Sequence, residues 1–184
     1  MKDDKEFFEE LFSWRDLEDF SRAMQVARTA HVGQLRDEGT PYIEHIEGVI
    51  KILKEELDIQ IDSALSVAAL HDVLEDSDRF TYEDLKKTFG TVIADGVLLL
   101  TKKDGQDMKT YMENIHKSDI KWLMIVKLAD RLHNLRSIKL TGNPEKIIRK
   151  CKETRDYVLT YAHKYPIIKK KLLSELQELE RKYG

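Results

Sequence analysis

Residues 67–78 read VAALHDVLEDSD, and this stretch joins an apolar run directly to an imidazole and several carboxylates. On a helix, His71 and Glu75 are four positions apart and share a face, and the same spacing separates Asp72 from Asp76. Carboxylates beside a buried segment are costly unless a positive charge compensates them. A divalent cation accepts both oxygen and imidazole ligands and would supply that charge. The stretch therefore predicts a buried helix with a metal site at one end.

Two other segments offer matching ligands. The stretch IVKLADRLHN at 125–134 places Asp130 after an apolar run, and PYIEH at 41–45 ends on His45 near the start of a helix. With His71 and Asp72 they make two imidazoles and two carboxylates from three separate segments. Such a set leaves positions open for water and a substrate oxygen, and it suits Mn²⁺, Fe²⁺ or a similar ion better than a closed zinc site.

The rest of the chain predicts an all-α fold. Helical periodicity recurs almost throughout, and no stretch alternates in the manner of a strand. The segment GTPY at 39–42 marks a loop, and TYED at 81–84 has the form of a capping box. We expect the helix that contains His71 to begin at an N-cap on Asp62 or Ser63 and to continue through the carboxylates. No linker interrupts the pattern, so the prediction is one domain over residues 1–184 with about nine helices.

Composition limits the class of protein. The 184 residues are 41% hydrophobic and 35% charged with a net charge of −3, so the chain lacks the basic excess typical of a nucleic-acid-binding domain. No apolar run approaches the roughly 18 residues that span a membrane, and the acidic start MKDDKEFFEELF is unlike a signal peptide. Cys151 is the single cysteine and cannot form an intrachain disulfide. We therefore expect a cytoplasmic protein with no nucleic-acid or membrane partner; the sequence indicates no oligomeric state.

Four motifs, taken in order, resemble a known family. AHVGQLRDEGTPYIEH, AALHDVLEDSD, FGTVIADGVLLLTK and VKLADRLHNLRSI are similar to the hydrolase domain of RelA/SpoT-type enzymes, which belong to the HD-domain metal phosphohydrolases. The single-domain form of that group is the small alarmone hydrolase, or Mesh type. The resemblance covers roughly residues 20 to 165. It implies a helical bundle with a central metal site, and hydrolysis of the 3′-pyrophosphate of (p)ppGpp, a nucleotide of the stringent response, to GDP or GTP and pyrophosphate.

The resemblance also implies roles for individual residues. It identifies the metal ligands as His45, His71, Asp72 and Asp130, which agrees with the spacing, and the ion as one Mn²⁺. It implies that Glu75 and Asp76 orient or deprotonate the attacking water. It places Arg36 against the guanine face, where a planar guanidinium can stack. It places Asn134 and Ser137 near the nucleoside.

One departure from the family concerns charge. Asp37 follows Arg36 where the family often has lysine, and a carboxylate there is expected to weaken phosphate contacts or change the preferred nucleotide. A polyanionic substrate must then be attracted by local positive charges. The candidates are Lys102, Lys103, Arg131, Arg136 and Lys139.

Two alternatives remain open at the level of sequence. The first is an HD-type phosphohydrolase that acts on another nucleotide, such as ppApp, NADPH or a nucleoside monophosphate. The second is a non-catalytic nucleotide-binding module on the same scaffold. A non-catalytic chain is expected to have lost a metal ligand or the Glu75–Asp76 pair, and this chain retains all six residues.

Overall fold

The computed structural model describes residues 19–184, so residues 1–18 of the predicted domain lie outside the described residues. Within residues 19–184 the regular structure is helical, and the backbone pairing outside helices is one isolated bridge between Leu35 and Pro41. Among residues 19–184, nine α-helices have two turns or more and a tenth is a single turn, which confirms the all-α prediction. The α-helices are α1 Asp19–Ala30, α2 Tyr42–Lys51, α3 Asp62–Leu70, α4 Val73–Asp76, α5 Tyr82–Phe89, α6 Thr91–Leu100, α7 Met108–Lys117, α8 Leu123–Ile138, α9 Pro144–Glu153 and α10 Pro166–Tyr183.

Shorter helical segments extend several of these helices. Ile52–Glu56 continues α2 with π-type hydrogen bonding, and Thr154–Val158 continues α9 in the same way. Two further segments are 3₁₀ helices: Lys139–Thr141 follows α8, and Leu159–Lys164 precedes α10. None of the helices in residues 19–184 has the combined length and apolar character needed to cross a membrane.

Helix α3 forms the centre of the bundle. Every residue from Ala64 to Leu70 is buried, because α1, α2, α6 and α8 pack around this helix. A helix that is apolar on all sides is stable only where neighbours cover all of it. This burial places the end of α3 and the His71 side chain inside the molecule, whereas Glu75 and Asp76, which follow, are exposed.

The predicted start of α3 was wrong by one residue. Ile61 occupies the N-cap position, and Asp62 is the first helical residue, with no side-chain cap on its own helix. Asp62 Oδ1 instead accepts a hydrogen bond from the backbone N–H of Phe20 at 3.4 Å. The first N–H groups of any α-helix lack intrahelical partners. The carboxylate thus serves the start of α1, which packs against α3.

The predicted continuity of the helix through the carboxylates was also wrong. Helix α3 ends at Leu70 and α4 begins at Val73, with a turn at His71 and Asp72. Asp72 has φ −102° and ψ −2°, values outside the regular helix. His71 Nδ1 hydrogen-bonds the Ala68 carbonyl oxygen at 2.8 Å and fixes the ring at the break. The break turns the two residues toward the interior side by side.

The capping box at the start of α5 is confirmed. The Thr81 side chain accepts a hydrogen bond from the Asp84 N–H, and the Asp84 carboxylate accepts one from the Thr81 N–H. Gly90 ends this helix with φ +80°, a conformation that favours glycine. This helix packs on α6, whose C-terminal end leads into the loop at Lys102.

Candidate functional site

Four side chains from α2, the α3–α4 turn and α8 converge in the interior. Ligand atoms of His45, His71 and Asp72 lie within 4.8 Å of one another. Asp130 Oδ1 lies 3.4 Å from His45 Nε2 and 3.8 Å from His71 Nε2. His45, His71 and Asp130 are buried, so the set predicted from three separate segments is brought together in one place.

The donor chemistry of this cluster fits a metal ion. His71 donates from Nδ1 to the Ala68 carbonyl, which leaves its Nε2 facing His45 Nε2 at 3.3 Å and Asp72 Oδ2 at 3.1 Å. His45 Nδ1 pairs with His133 Nδ1 at 2.9 Å, so its Nε2 also points into the cluster. Two imidazole nitrogens and two carboxylates that face one another form a ligand set that one shared cation can satisfy. Mn²⁺ and related ions accept this mixture of ligands.

The electrostatics give the same result. Burial lowers the pKa of His71, but the Asp72 and Asp130 carboxylates, with the hydrogen bond to Ala68, together outweigh burial and raise it to about 9. Burial lowers the pKa of His45 and keeps that imidazole in its neutral, ligating form. Burial alone would raise the pKa of Asp130, yet the Lys127 ammonium holds it well below its usual range. Both carboxylates of the cluster are thus charged, and either a proton on His71 or a metal ion balances them.

A second histidine supports His45 from behind. His133, on α8, contacts the Nδ1 side of the His45 ring, and burial lowers the pKa of His133 to about 4. The close approach depends on Gly48 in α2, because a Cβ there would lie 2.1 Å from His133 Nε2. The outer hydrogen bond of a metal-binding histidine sets its tautomer and orientation. His133 therefore positions His45 and does not itself belong to the converging set.

Asp130 is connected to further polar residues of α8. Lys127 Nζ lies 2.8 Å from Asp130 Oδ2, and Asn134 Nδ2 donates to Asp130 Oδ1 at 2.5 Å. Asn134 Oδ1 in turn accepts from Arg36 Nη2 at 2.7 Å. Residues 127, 130, 134 and 137 share one face of the helix because they are three or four positions apart. This face of α8 forms one wall of the site.

A cavity of about 520 Å³ opens beside the cluster. Glu75 and Asp76, the residues predicted to act on the attacking water, line it together with Asp72. The Tyr42 hydroxyl lies between two carboxylates and donates to them, with its oxygen 2.6 Å from both Asp72 Oδ2 and Asp76 Oδ2. The Glu75 Oε2 atom accepts the Lys102 N–H at 3.1 Å, and enclosure by the cavity walls raises the pKa of Glu75 above its usual value. A carboxylate with a raised pKa beside a cluster of this kind is suited to accept a proton.

The three residues assigned to substrate also line the cavity: Arg36, Asn134 and Ser137. Arg36 Nε donates to Glu38 Oε1 at 2.8 Å, so two of the three guanidinium nitrogens are hydrogen-bonded within the protein. Its Cζ lies 5.6 Å from the centre of the Tyr42 ring, within cation–π range. The guanidinium is thus fixed before any ligand arrives, at the wall of the cavity.

The prediction of positive charges was only partly right. Lys102 and Arg131 line the cavity, whereas Lys103 is exposed outside it. The prediction was wrong for Arg136 and Lys139, which point to the other side of α8. Arg136 pairs there with Glu56, and Lys139 pairs with Glu178. The residues that sequence reasoning missed are Tyr42, Lys127, Lys146 and Lys150. Lys127 could have been found from its spacing of three from Asp130, but the lysines of α9 could not, since only the tertiary fold brings that helix to the cavity.

An all-α bundle with this His, His–Asp and Asp arrangement defines a class of metal-binding proteins. The HD domain family model matches residues 23–164, and the chain belongs to that family. It is 38% identical over 186 residues to the guanosine-3′,5′-bis(diphosphate) 3′-pyrophosphohydrolase of Vibrio cholerae, covering 95% of this chain and 25% of that protein. It is 39% identical to the bifunctional (p)ppGpp synthase/hydrolase SpoT of Escherichia coli, covering 86% of this chain and 23% of that protein. The chain thus spans about a quarter of the length of these curated relatives.

A solved structure agrees over nearly its whole length. It is described as a metazoan ortholog of SpoT that hydrolyzes ppGpp and plays a role in starvation responses. The match has a TM-score of 0.76 and 29% sequence identity, and it covers 91% of this chain and 97% of that one. The resemblance noted in the motifs therefore extends to the fold.

Proposed function

We propose that this chain hydrolyses the 3′-pyrophosphate of guanosine alarmones, converting (p)ppGpp to GDP or GTP and pyrophosphate in a Mn²⁺-dependent reaction. The observation that carries the proposal is the meeting of His45, His71, Asp72 and Asp130 with Glu75 and Asp76 at one cavity. The similarity to 3′-pyrophosphohydrolases over 95% of this chain supports the substrate class. A cytoplasmic setting is part of the proposal and is supported by the lone, buried Cys151.

The four converging side chains would hold the metal. When bound, the ion would lower the pKa of a water molecule and neutralise charge on the scissile phosphate. Lys127 keeps Asp130 ionised, and the Tyr42 hydroxyl holds Asp72 in place. The protein's own residues thus keep both carboxylates charged and oriented toward the cluster.

Glu75 and Asp76 would accept the proton of the attacking water. The water oxygen forms a bond to the phosphorus that is attached to the ribose 3′ oxygen, and the bond between that phosphorus and the 3′ oxygen breaks. The products are pyrophosphate and a nucleotide with a free 3′ hydroxyl. The raised pKa of Glu75 suits it to take up a proton and return it to the leaving oxygen. The Tyr42 hydroxyl fixes Asp76 at 2.6 Å, which supports a role in orienting the water.

Arg36, Asn134 and Ser137 would bind the nucleoside. The Arg36 guanidinium is held by Glu38 and Asn134, so one planar face can stack on a base without further ordering. Asn134 also contacts Asp130, which connects the nucleoside end of the cavity to the metal end.

The experiment is a substrate panel. Purified protein with Mn²⁺ is given ppGpp, ppApp, NADPH and dAMP, and the products are separated by chromatography. The proposal requires release of pyrophosphate and GDP from ppGpp, lost when a chelator removes the metal. If the protein turns over another nucleotide of the panel in preference to ppGpp, that nucleotide is the substrate. If the metal-bound protein turns over none of the four nucleotides, a nucleotide-binding module is favoured.

A further inference from the structure

The basic side chains of the cavity are almost all neutralised by the protein itself. Lys127 pairs with Asp130, and Arg131 Nη2 lies 2.5 Å from Glu153 Oε1, which also lies 3.3 Å from Lys150 Nζ. The basic residues that line the cavity are Arg36, Lys102, Lys127, Arg131, Lys146 and Lys150. A polyanionic ligand must therefore either displace one of these acids or bind where none is present.

The pair between Asp37 and Lys146 differs from the others. Asp37 is 68% exposed, whereas the side chains of Glu38, Asp130 and Glu153 that neutralise the other cations are 4%, 7% and 25% exposed. Both partners line the cavity. An exposed ion pair contributes little to stability. Of the acids that hold cavity cations among residues 19–184, Asp37 is thus the one that a ligand can replace at least cost.

The geometry of α9 places Lys146 at the outer end of the cavity. Glu153 at the end of this helix contacts Arg131 of α8, which lines the cavity. Lys150 is one turn before Glu153, and Lys146 one turn further out, near the loop of Arg36 and Asp37. The helix therefore runs along the cavity from Arg131 to the loop of Arg36 and Asp37, with Lys146 about 10 Å of helix rise from Glu153.

We propose that Lys146 binds the 5′-phosphates of the substrate, and that Asp37 is an internal anion that those phosphates displace. The inference rests on the proposed function, since a nucleotide with its 3′-pyrophosphate at the cluster directs its 5′ end outward past Arg36. A 5′-diphosphate carries more negative charge than the single carboxylate of Asp37, so it replaces Asp37 on Lys146, whereas a 5′-hydroxyl does not. Lys146 and Asp37 together thus make the site selective for substrates with a charged 5′ end.

The test compares two substrates, guanosine with pyrophosphates at both the 3′ and 5′ positions and guanosine 3′-pyrophosphate with a free 5′-hydroxyl. The measured quantity is the ratio of kcat/KM for the first substrate to that for the second. Lys146→Ala should lower this ratio about tenfold, the usual loss for a charge-assisted contact. Asp37→Asn should raise it about fivefold, the upper range for an exposed ion pair. Lys152→Ala, on an exposed face of the same helix, and Asp119→Asn are matched controls that should keep the wild-type ratio.

The double variant decides between competition and simple repulsion. If Asp37 acts by occupying Lys146, Asp37→Asn has no effect in the Lys146→Ala background. An equal gain in both backgrounds would mean that Asp37 repels phosphates directly, and would overturn the inference. If the wild-type protein is active but Lys146→Ala has the same ratio of kcat/KM values as the wild type, the inference is overturned and the proposed function is not. Wild-type protein that releases pyrophosphate from neither substrate overturns the proposed function, and the inference falls with it.

Discussion

At the scale of single residues, the proposed chemistry depends on Glu75 being a proton acceptor and not a ligand. Its carboxylate faces the cavity and accepts the Lys102 N–H, and it lies outside the converging set of four. Glu75→Gln should therefore reduce turnover by about 10²–10⁴-fold, the usual contribution of a general acid–base group. The metal content, measured by elemental analysis, should equal that of the wild type.

The control for this prediction is Asp72→Asn, which should lose metal and activity together because Asp72 lies among the converging ligand atoms. Asp76→Asn should behave like Glu75→Gln. A Glu75→Gln protein that retains full turnover with normal metal content would remove the proposed role.

A second prediction concerns Gly48. Alanine within a helix is ordinarily more stable than glycine by about 1 kcal/mol. At this position the added Cβ meets the His133 ring, so Gly48→Ala should destabilise the protein and disturb His45. In a His133→Ala background the clash is absent, and the same change should stabilise by up to about 1 kcal/mol. Urea unfolding of the four proteins measures both effects, and stabilisation by Gly48→Ala in the presence of His133 would contradict the packing.

Candidate site residues could be predicted from the sequence where the chemistry of the side chains and their spacing point to the same site. His45, His71, Asp72 and Asp130 were found because imidazoles and carboxylates at buried helix ends need compensation. Their roles stay predictions, although the structure brings them together. Tyr42 could not be found this way, because a tyrosine at the start of a helix is ordinary until its hydroxyl is seen between two carboxylates.

At the scale of helices, the turn at His71 and Asp72 is the feature that periodicity could not supply. The apolar pattern and the helical spacing both continue through residues 67–76, so a continuous helix was expected. The break depends on contacts from elsewhere in the molecule: Tyr42 and His45 of α2 both contact residues at the break. Local propensity is a weak guide where tertiary contacts of this kind act on a few residues.

The π-helical segment after α2 leads to a third prediction, on pH and stability. Glu56 accepts two hydrogen bonds from Arg136 of α8 and lies 2.8 Å from Lys171 of α10. The Arg136 hydrogen bond lowers the pKa of Glu56 from 4.5 to about 2. A lowered pKa gives stability that is fully present above about pH 4.5 and is lost as the pH falls toward 2. Glu56→Gln should therefore cost about 1–2 kcal/mol at pH 7.

The measurement is the difference in free energy of unfolding between wild type and Glu56→Gln, followed from pH 7 downward. This difference should shrink through the interval between pH 4.5 and 2 as Glu56 takes up a proton. Glu55→Gln is the matched control, because Glu55 is exposed and its ion pair with Lys51, at 3.9 Å, is also exposed. A difference that stays constant down to pH 2 would show that the ion pairs of Glu56 do not bind the π-helical segment to α8 and α10.

At the scale of the whole molecule, the charge distribution explains how a chain of net charge −3 could bind the polyanionic substrate proposed for it. The cavity gathers basic residues from the loop at Arg36, from α8 and from α9, and pairs most of them with acids. Composition showed no basic excess over the whole chain, but it could not reveal this local concentration. Only the fold places α9 against the loop that precedes α2.

The last prediction is that the metal stabilises the entire bundle. The proposed ligands come from α2, the turn after α3, and α8, and these three elements also pack on one another around the core. A ligand that binds only the folded state stabilises it by about 2.7 kcal/mol at 100 times its dissociation constant. For a domain of this size that corresponds to a rise in Tm of about 5–10 °C. Thermal unfolding in excess Mn²⁺ and in chelator measures this rise, which Asp119→Asn should retain and His71→Asn should lose. Equal melting temperatures in the two conditions for the wild type would mean that the four side chains do not hold a metal, whatever the activity of the protein.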